Sequence, residues 1–254
     1  MRFVAAASIL ALMALTTWSF AVAPAHGWWM PHNVSSYGGE IDRLFMAILW
    51  VVAFFFLLTE GLLVWFVLRG ARARPGKALF SHGNVRLEIV WTIVPGAILV
   101  ALALAQLSTW NTIQSARDTH AVPLAEAWAA QFEWRFLYPG DDGRFGTADD
   151  FENPYELVAP VDEPVTLALR SRDVIHSFFV PNFRLKQDVL PGSTLSTWFE
   201  AREIGEYDLV CTQLCGFGHY NMAGRIKIVS RADYDAWVVV QKRTWLSNGQ
   251  DERP

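Results

Sequence analysis

Long apolar runs occupy roughly the first 110 residues, and short runs of alternating character occupy the remainder. Residues 44–68 and 87–107 are apolar over almost their whole length. At about 1.5 Å per residue, each run is long enough to cross a hydrocarbon core of roughly 30 Å. The pattern predicts two transmembrane helices that form a hairpin within residues 27–110.

A shorter apolar run lies at the start of the chain. Arg2 precedes an apolar segment that extends to Leu15, and Ala23 and Ala25 then form an A-x-A pattern. A basic start, a short apolar run and small residues are typical of a secretory signal peptide, which we predict for residues 1–26. An uncleaved membrane helix is the alternative.

The connection between the two predicted spans is basic. It contains no acidic residue, and its basic residues are Arg69, Arg72, Arg74, Lys77 and Arg86. By the positive-inside rule this connection is cytoplasmic, so everything after about residue 110 faces the other side of the membrane. The chain is therefore predicted to be a multi-pass protein of the bacterial inner membrane with its C-terminal domain on the periplasmic or outer side.

Residues 111–247 predict a soluble all-β domain. Short runs rich in Val, Phe, Tyr and Trp are separated by Pro, Gly and Asp, a pattern that favours a Greek-key sandwich or barrel. The predicted strands are Ala129–Tyr138, Val165–Ser171, His176–Val180, Leu195–Glu200, Gly205–Val210 and Gly224–Val229. A terminal helix is predicted for residues 231–245, and residues 248–254 form a polar tail. The predicted fold class is a membrane-anchored all-β protein.

Composition and charge exclude several classes of protein. Of the 254 residues 52% are hydrophobic, with 12 Trp and 17 Phe, which excludes a disordered, collagen-like or small disulfide-stapled chain. The formal net charge is -4, and no block of Lys and Arg predicts binding to nucleic acid. From residue 110 onward the charge is -7, which suits attraction to a basic redox partner. The sequence contains no C-x-x-C-H, so no covalently attached haem is expected.

Both cysteines of the chain lie in one short segment. Cys211 and Cys215 are followed by His219 and Met222, and His176 lies further upstream at the start of a predicted strand. Two cysteines alone are compatible with a disulfide, and two Cys with two His are compatible with zinc. Thiolate, imidazole and thioether together are typical of copper. One cysteine would serve a mononuclear blue site, whereas two on one loop are able to bridge two copper ions.

Four sequence motifs resemble subunit II of haem-copper cytochrome c oxidases. They are C-x-Q-x-C-x-x-x-H-x-x-M from Cys211, V-I-H-S-F-F-V-P around His176, K-Q-D-V-L-P-G from Lys186, and E-I-V-W-T-I-V-P from Glu88. The resemblance extends over nearly the whole chain after the predicted signal peptide. It implies a cupredoxin domain on a two-helix anchor, with a dinuclear CuA centre in that domain.

The resemblance also implies a ligand set. Cys211 and Cys215 would bridge both copper ions. His176 and Met222 would complete one copper, while His219 and the backbone carbonyl of Gln213 would complete the other. Members of the family commonly have Glu at the position of Gln213, where its carboxylate also binds magnesium; a neutral amide is a poorer ligand for that cation, so we do not predict magnesium.

Three weaker signals concern electrons, protons and calcium. Phe132 stands where the family usually has the Trp through which electrons enter, and Trp134 is a nearby aromatic residue, so both are candidates for electron entrance. Glu88 lies at the cytoplasmic start of the second span and resembles a proton entrance of the family. The acidic loop 141–150 has a spacing suited to calcium, although a solvated acidic turn is our interpretation.

The predicted function is that of a cytochrome c oxidase subunit. The resemblance implies that CuA accepts electrons from cytochrome c or another small redox protein and passes them to subunit I, which reduces oxygen to water with proton translocation. Subunit III is a further expected partner, and this chain alone has no site for oxygen reduction. The alternatives are the CuA subunit of a nitric oxide reductase, a metal-free quinol oxidase subunit, and a copper chaperone or sensor.

Overall fold

The computed structural model of the chain describes residues 2–72, 82–117 and 122–247. The chain divides into two compact units. One comprises Met1–Met30 and Asp42–Trp110, and the other comprises Pro31–Ile41 and Asn111–Pro254. The predictions for Arg74, Lys77 and the polar tail 248–254 lie outside the described residues.

The first unit is helical. The chain forms helices α1 (Arg2–Val22), α2 (Gly38–Arg72) and α3 (Val85–Arg117), and a short 3-10 helix follows α1. Both predicted spans, 44–68 and 87–107, lie inside α2 and α3. Among the described residues three helical stretches are long and apolar enough to cross a membrane, namely Ala7–His26, Gly38–Gly70 and Val85–Asn111. The structure thus shows a third helix of spanning length in the segment predicted to be a signal peptide, and its cleavage stays a prediction.

Helix α3 begins with a side-chain cap. The Oδ1 of Asn84 accepts hydrogen bonds from the backbone N–H groups of Arg86 (3.1 Å) and Leu87 (3.3 Å), which satisfies two donors that the helix itself leaves unpaired. Glu88 is exposed in the first turn, where the helix dipole favours a negative charge. The cap and this carboxylate account for the start of the helix just before the apolar run.

The second unit is a β-sandwich, which confirms the predicted fold class. Its two five-stranded sheets have the strand orders β3-β2-β1-β5-β8 and β4-β10-β9-β6-β7. The strands are β1 (Ala125–Ala130), β2 (Glu133–Tyr138), β3 (Phe151–Pro154), β4 (Glu156–Pro160), β5 (Pro164–Ser171), β6 (His176–Val180), β7 (Leu185–Val189), β8 (Leu195–Glu200), β9 (Gly205–Cys211) and β10 (Ala223–Val229), and helix α4 (Arg231–Ser247) follows.

The core lies between the two sheets and follows the two-residue period of the strands. In β2 the side chains of Trp134, Phe136 and Tyr138 are buried, while the intervening residues are partly exposed. The hydroxyl of Tyr138 crosses to the other sheet, where it donates to the carbonyl of Val158 (2.9 Å) and accepts from its N–H (2.7 Å). Burial raises the pKa of Tyr138 well above its usual value, so this hydroxyl stays neutral. Trp237 of α4 packs edge-on against the same ring.

The single strand predicted for Ala129–Tyr138 is wrong. The chain reverses at Gln131 and Phe132, and β1 and β2 pair as an antiparallel hairpin in which Ala130 faces Glu133. Two-residue hairpin turns usually contain Gly or Asn, and this turn has neither, so the sequence gives no turn signal. Strands β3, β4 and β7 were also absent from the prediction, since they are four or five residues long and carry polar residues.

A segment that precedes α2 adds to the sandwich. Within the second unit, the N–H of Val34 donates to the carbonyl of Asn182 (3.0 Å), and the N–H of Arg202 donates to the carbonyl of Val34 (2.8 Å). The Val34 side chain is 2% exposed and belongs to the core cluster. Residues 31–41 therefore pack as part of the β domain, whereas the hydrophobic pattern predicted them as part of the hairpin region.

Candidate metal centre

Strand pairing brings the predicted ligands to one end of the sandwich. Strands β6 and β9 are antiparallel neighbours, with Phe178 opposite Cys211, so His176 at the start of β6 lies beside the end of β9. The chain then forms a loop from Thr212 and returns into β10 directly after Met222. The ligand loop, residues 211–222, therefore closes over the start of β6.

The two cysteines are separate thiols in the structure. Their Sγ atoms are 3.9 Å apart, whereas a disulfide requires about 2.05 Å. The Nδ1 atom of His176 lies 3.9 Å from the Sγ of Cys211. The ligand atoms of His176, Cys211 and Cys215 all lie within 4.8 Å of one another, and all three residues are buried.

The remaining predicted ligands surround the same pair of sulfur atoms. The Nδ1 of His219 lies 3.6 Å from the Sγ of Cys215, and the Sδ of Met222 lies 3.7 Å from it. The backbone oxygen of Gln213 lies 3.2 Å from the Sγ of Cys211. Two thiols, two imidazoles, a thioether and a carbonyl thus converge on one small volume, a set of donors whose softness fits a metal such as copper.

The two thiols differ in acidity. Burial opposes ionisation of Cys211, but hydrogen bonds from His176 and from the backbone at Ser177 outweigh burial and lower the pKa of Cys211 to about 6. Burial and the negative charge of Cys211 raise the pKa of Cys215 to about 11. Cys211 is therefore the more readily ionised of the two thiols, and the thiolate is the form that binds metal.

Two residues beyond the predicted set support the centre. Asp173 Oδ1 lies 2.8 Å from the Nε2 of His176, which leaves Nδ1 of that ring directed toward Cys211. The side-chain amide of Gln131 donates to the carbonyl of Cys215. Sequence reasoning missed both residues; the position of Asp173 three residues before the ligand His176 was the available signal.

The two aromatic candidates for electron entrance occupy different environments. Trp134 is fully buried, its ring is 6.3 Å from that of His176, and its Nε1–H has no partner among the described residues. Phe132 is only partly buried and packs directly on the backbone of the ligand loop at Gly216 and Gly218. A Cβ atom at position 218 would lie 2.4 Å from the Phe132 ring, so this close approach requires glycine.

The carboxylates of the acidic loop 141–150 already have partners. Asp150 accepts hydrogen bonds from the N–H of Gly146 (2.7 Å) and from Thr147, and Asp149 accepts from the N–H of Asp141 (2.6 Å). The ammonium group of Lys242 lies 2.6 Å from the carboxylate of Asp141 and 3.7 Å from that of Asp149. These contacts favour the interpretation of the loop as an acidic turn whose carboxylates bind neighbouring N–H groups and Lys242. Calcium binding there stays a hypothesis.

Apolar helices of spanning length followed by a β-sandwich with a Cys-, His- and Met-lined site define a membrane-anchored protein with a centre for a soft metal. Comparison with known proteins gives the family. The family model "Cytochrome C oxidase subunit II, periplasmic domain" matches residues 126–229, and the model "Cytochrome C oxidase subunit II, transmembrane domain" matches residues 23–109. The chain belongs to the cytochrome c oxidase subunit II family, whose members are subunits of an oxidoreductase complex.

Two bacterial relatives agree with this assignment. The chain is 30% identical to an alternative cytochrome c oxidase subunit 2 of Bradyrhizobium diazoefficiens, over 85% of this chain and 84% of that protein. It is 28% identical to a cytochrome c oxidase subunit 2 of Synechocystis, over 82% of this chain and 74% of the relative. Among solved structures, the periplasmic domain of subunit II of cytochrome oxidase from Bradyrhizobium japonicum matches with 29% identity and a TM-score of 0.43, over 48% of this chain and 94% of that one.

Proposed function

We propose that this chain is the electron-accepting subunit of a cytochrome c oxidase and that it holds a dinuclear CuA centre. Electrons from cytochrome c or another small redox protein would pass through this centre to subunit I, where oxygen is reduced with proton translocation. The observation that carries the proposal is the convergence of six donor groups, two of which are thiols with their Sγ atoms 3.9 Å apart. A quinol oxidase subunit that binds no metal would not require these six donor groups to converge.

Each ligand residue has a defined part in the proposal. Cys211 and Cys215 would bridge the two ions, His176 and Met222 would complete one of them, and the remaining ligands are His219 and the Gln213 carbonyl. When bound, the copper pair supplies reversible one-electron transfer with the charge shared between two ions. The protein shields the two sulfur atoms from water, because Cys211 is 7% and Cys215 is 4% exposed.

Rigidity is the second contribution of the chain. His176 lies on β6 and Cys211 on β9, and Met222 immediately precedes β10, so the hydrogen bonds of one sheet fix three of the ligands. A site whose ligands are held by strands changes little in geometry when it gains or loses an electron. Small rearrangement is what fast electron transfer requires.

The membrane and partner assignments follow from the same proposal. The chain would lie in the bacterial inner membrane with its β domain on the periplasmic side, in contact with subunit I and with subunit III. The charge of -7 from residue 110 onward would attract a basic electron donor, an effect that salt screens. Phe132 would be the surface contact for electron entrance, since Trp134 is fully enclosed, and Glu88 would serve as a proton entrance.

The test is electron paramagnetic resonance on the detergent-solubilised full chain after reduction of its thiols and loading with copper. We expect hyperfine splitting from one electron shared by two copper nuclei, and its loss in Cys211→Ser. A mononuclear copper spectrum would contradict the proposal, as would an absence of bound copper. A matched control is Ser177→Ala, which changes a buried hydroxyl beside the site and leaves all six ligands intact.

A further inference from the structure

We infer that Gln131 is a positioning residue that ties the ligand loop to the strand bearing His176, an inference that rests on the proposed copper centre. Gln131 lies in the turn between β1 and β2 and is no ligand itself. Its side-chain Nε2–H donates to the carbonyl of Cys215, and its backbone N–H donates to the Oδ2 of Asp173 (2.7 Å). One residue thus contacts two separate parts of the site.

Asp173 continues this contact to a ligand. Its Oδ1 lies 2.8 Å from the Nε2 of His176 and also accepts the N–H of Val174 (2.6 Å). The hydrogen bonds therefore run from the Cys215 carbonyl through Gln131 and Asp173 to the imidazole of His176. We call this chain of contacts the Gln131 link.

The link reaches a part of the ligand loop that lies outside the sheet. Strands β6 and β9 share only two paired positions, Phe178 with Cys211 and Phe179 with Val210. Cys215 lies beyond the end of β9, in a stretch with no strand partner among the described residues. The Gln131 link joins this part of the loop to the imidazole of His176 by hydrogen bonds, in addition to the contacts that run from His176 through the Sγ of Cys211 to that of Cys215.

Packing at the same turn supports the role of Gln131. Gly216 has a φ of 137°, and a Cβ there would lie 2.6 Å from the Gln131 Nε2. The backbone at Gly216 therefore lies so close to the side-chain amide of Gln131 that a residue with a Cβ atom would clash with it. Because outer contacts of this kind orient metal ligands, their removal typically weakens metal binding by about 10- to 100-fold.

The decisive variant is Gln131→Met, which keeps the length of the side chain and removes its N–H donor. Gln241→Met is the matched control, since Gln241 lies on α4 and its amide contacts Asn153. Both full-length variants are loaded with copper in detergent. The measurements are the transfer of copper to a chelator, the hyperfine pattern, the reduction potential and the unfolding of the metal-free chain.

We expect Gln131→Met to lose copper about 10- to 100-fold more readily and to show an altered splitting and a shifted potential. The control should match the wild type, and metal-free Gln131→Met should unfold at the wild-type denaturant concentration. The inference is overturned if Gln131→Met binds copper as the wild type does, or if its metal-free form is destabilised enough to explain the loss. Failure of the wild type itself to bind paired copper would instead overturn the proposed function.

A second readout needs no copper. In a Cys211→Ser background, the Gln131→Met change should increase the rate at which Cys215 of the metal-free chain is alkylated, because the loop carbonyl is no longer held. An unchanged alkylation rate would overturn the inference independently of any metal.

Discussion

Gly218→Ala tests whether the ligand loop depends on contact with Phe132. Gly218 has φ -88° and ψ 8°, a conformation that alanine adopts without strain, so the substitution changes only the space available. The new Cβ would lie 2.4, 2.5 and 2.9 Å from three carbon atoms of the Phe132 ring. Carbon atoms normally approach to about 3.5–4.0 Å, so the ring or the loop must move by about 1 Å.

Overpacking of this size costs about 1–3 kcal/mol of unfolding free energy. We expect that loss for Gly218→Ala in urea unfolding of the solubilised chain followed by tryptophan fluorescence. Copper retention should fall as well, because His219 is the next residue in the chain. Gly39→Ala is the control, since its added Cβ meets no other part of the chain within 4 Å; it should not destabilise the protein, and because Gly39 lies in helix α2 it should stabilise by at most about 1 kcal/mol.

A double-mutant cycle of Gly218→Ala with Phe132→Ala tests whether the contact between these two residues causes the loss of stability. Phe132→Ala removes the ring that the new methyl group meets, so Gly218→Ala should cost little in that background, with a coupling of about 1–3 kcal/mol. An equal cost of Gly218→Ala with and without the Phe132 ring would show that the contact does not limit this position. The assigned packing of Phe132 on the ligand loop would then be wrong.

Three further substitutions separate packing, charge and ligand chemistry. Tyr138→Phe leaves the buried N–H and carbonyl of Val158 without their partner and should cost about 1–3 kcal/mol in denaturant unfolding, whereas the exposed Tyr220→Phe should be neutral. Lys242→Met should cause a small loss of stability that shrinks in high salt, because its amine faces two loop carboxylates; a loss independent of salt would contradict this reading. Met222→Leu should preserve the metal-free fold but shift the reduction potential of bound copper in a redox titration, since it conserves volume and removes the thioether; an unchanged potential would exclude Met222 as a ligand.

The sequence was most informative where chemistry and chain position coincide. Five of the six predicted ligand residues lie within twelve positions, and the loop that contains them is short, so their convergence could be predicted with little knowledge of tertiary structure. His176 could be predicted from the sequence because it is the first residue of a recognisable strand. The transmembrane runs were equally clear, since the length of an apolar segment is itself the signal.

Two kinds of feature could not be predicted from the sequence, namely the local turns and the residues that hydrogen-bond to the predicted ligands. The reversal at Gln131 and Phe132 lacks the residues that mark hairpins, and the break between β3 and β4 occurs at Tyr155, which has a φ of 65° without being glycine. Asp173 and Gln131 acquire their roles only when the β1–β2 turn, the β5–β6 loop and the ligand loop meet. Such contacts depend on tertiary approach, which no pattern of neighbouring residues encodes.

Under the proposed function, the ligand loop must meet two opposed demands. The sulfur ligands of the proposed centre must be shielded from water, and Cys215 is only 4% exposed, yet an electron donor must come close to them. The loop achieves both by alternating inward ligands with outward side chains, because Leu214 is 78% and Phe217 95% exposed on either side of Cys215. In the proposed complex, an electron donor that contacts Phe217 would touch a residue two positions along the chain from both Cys215 and His219. The proposed centre would therefore lie close to the protein surface although its cysteines are buried.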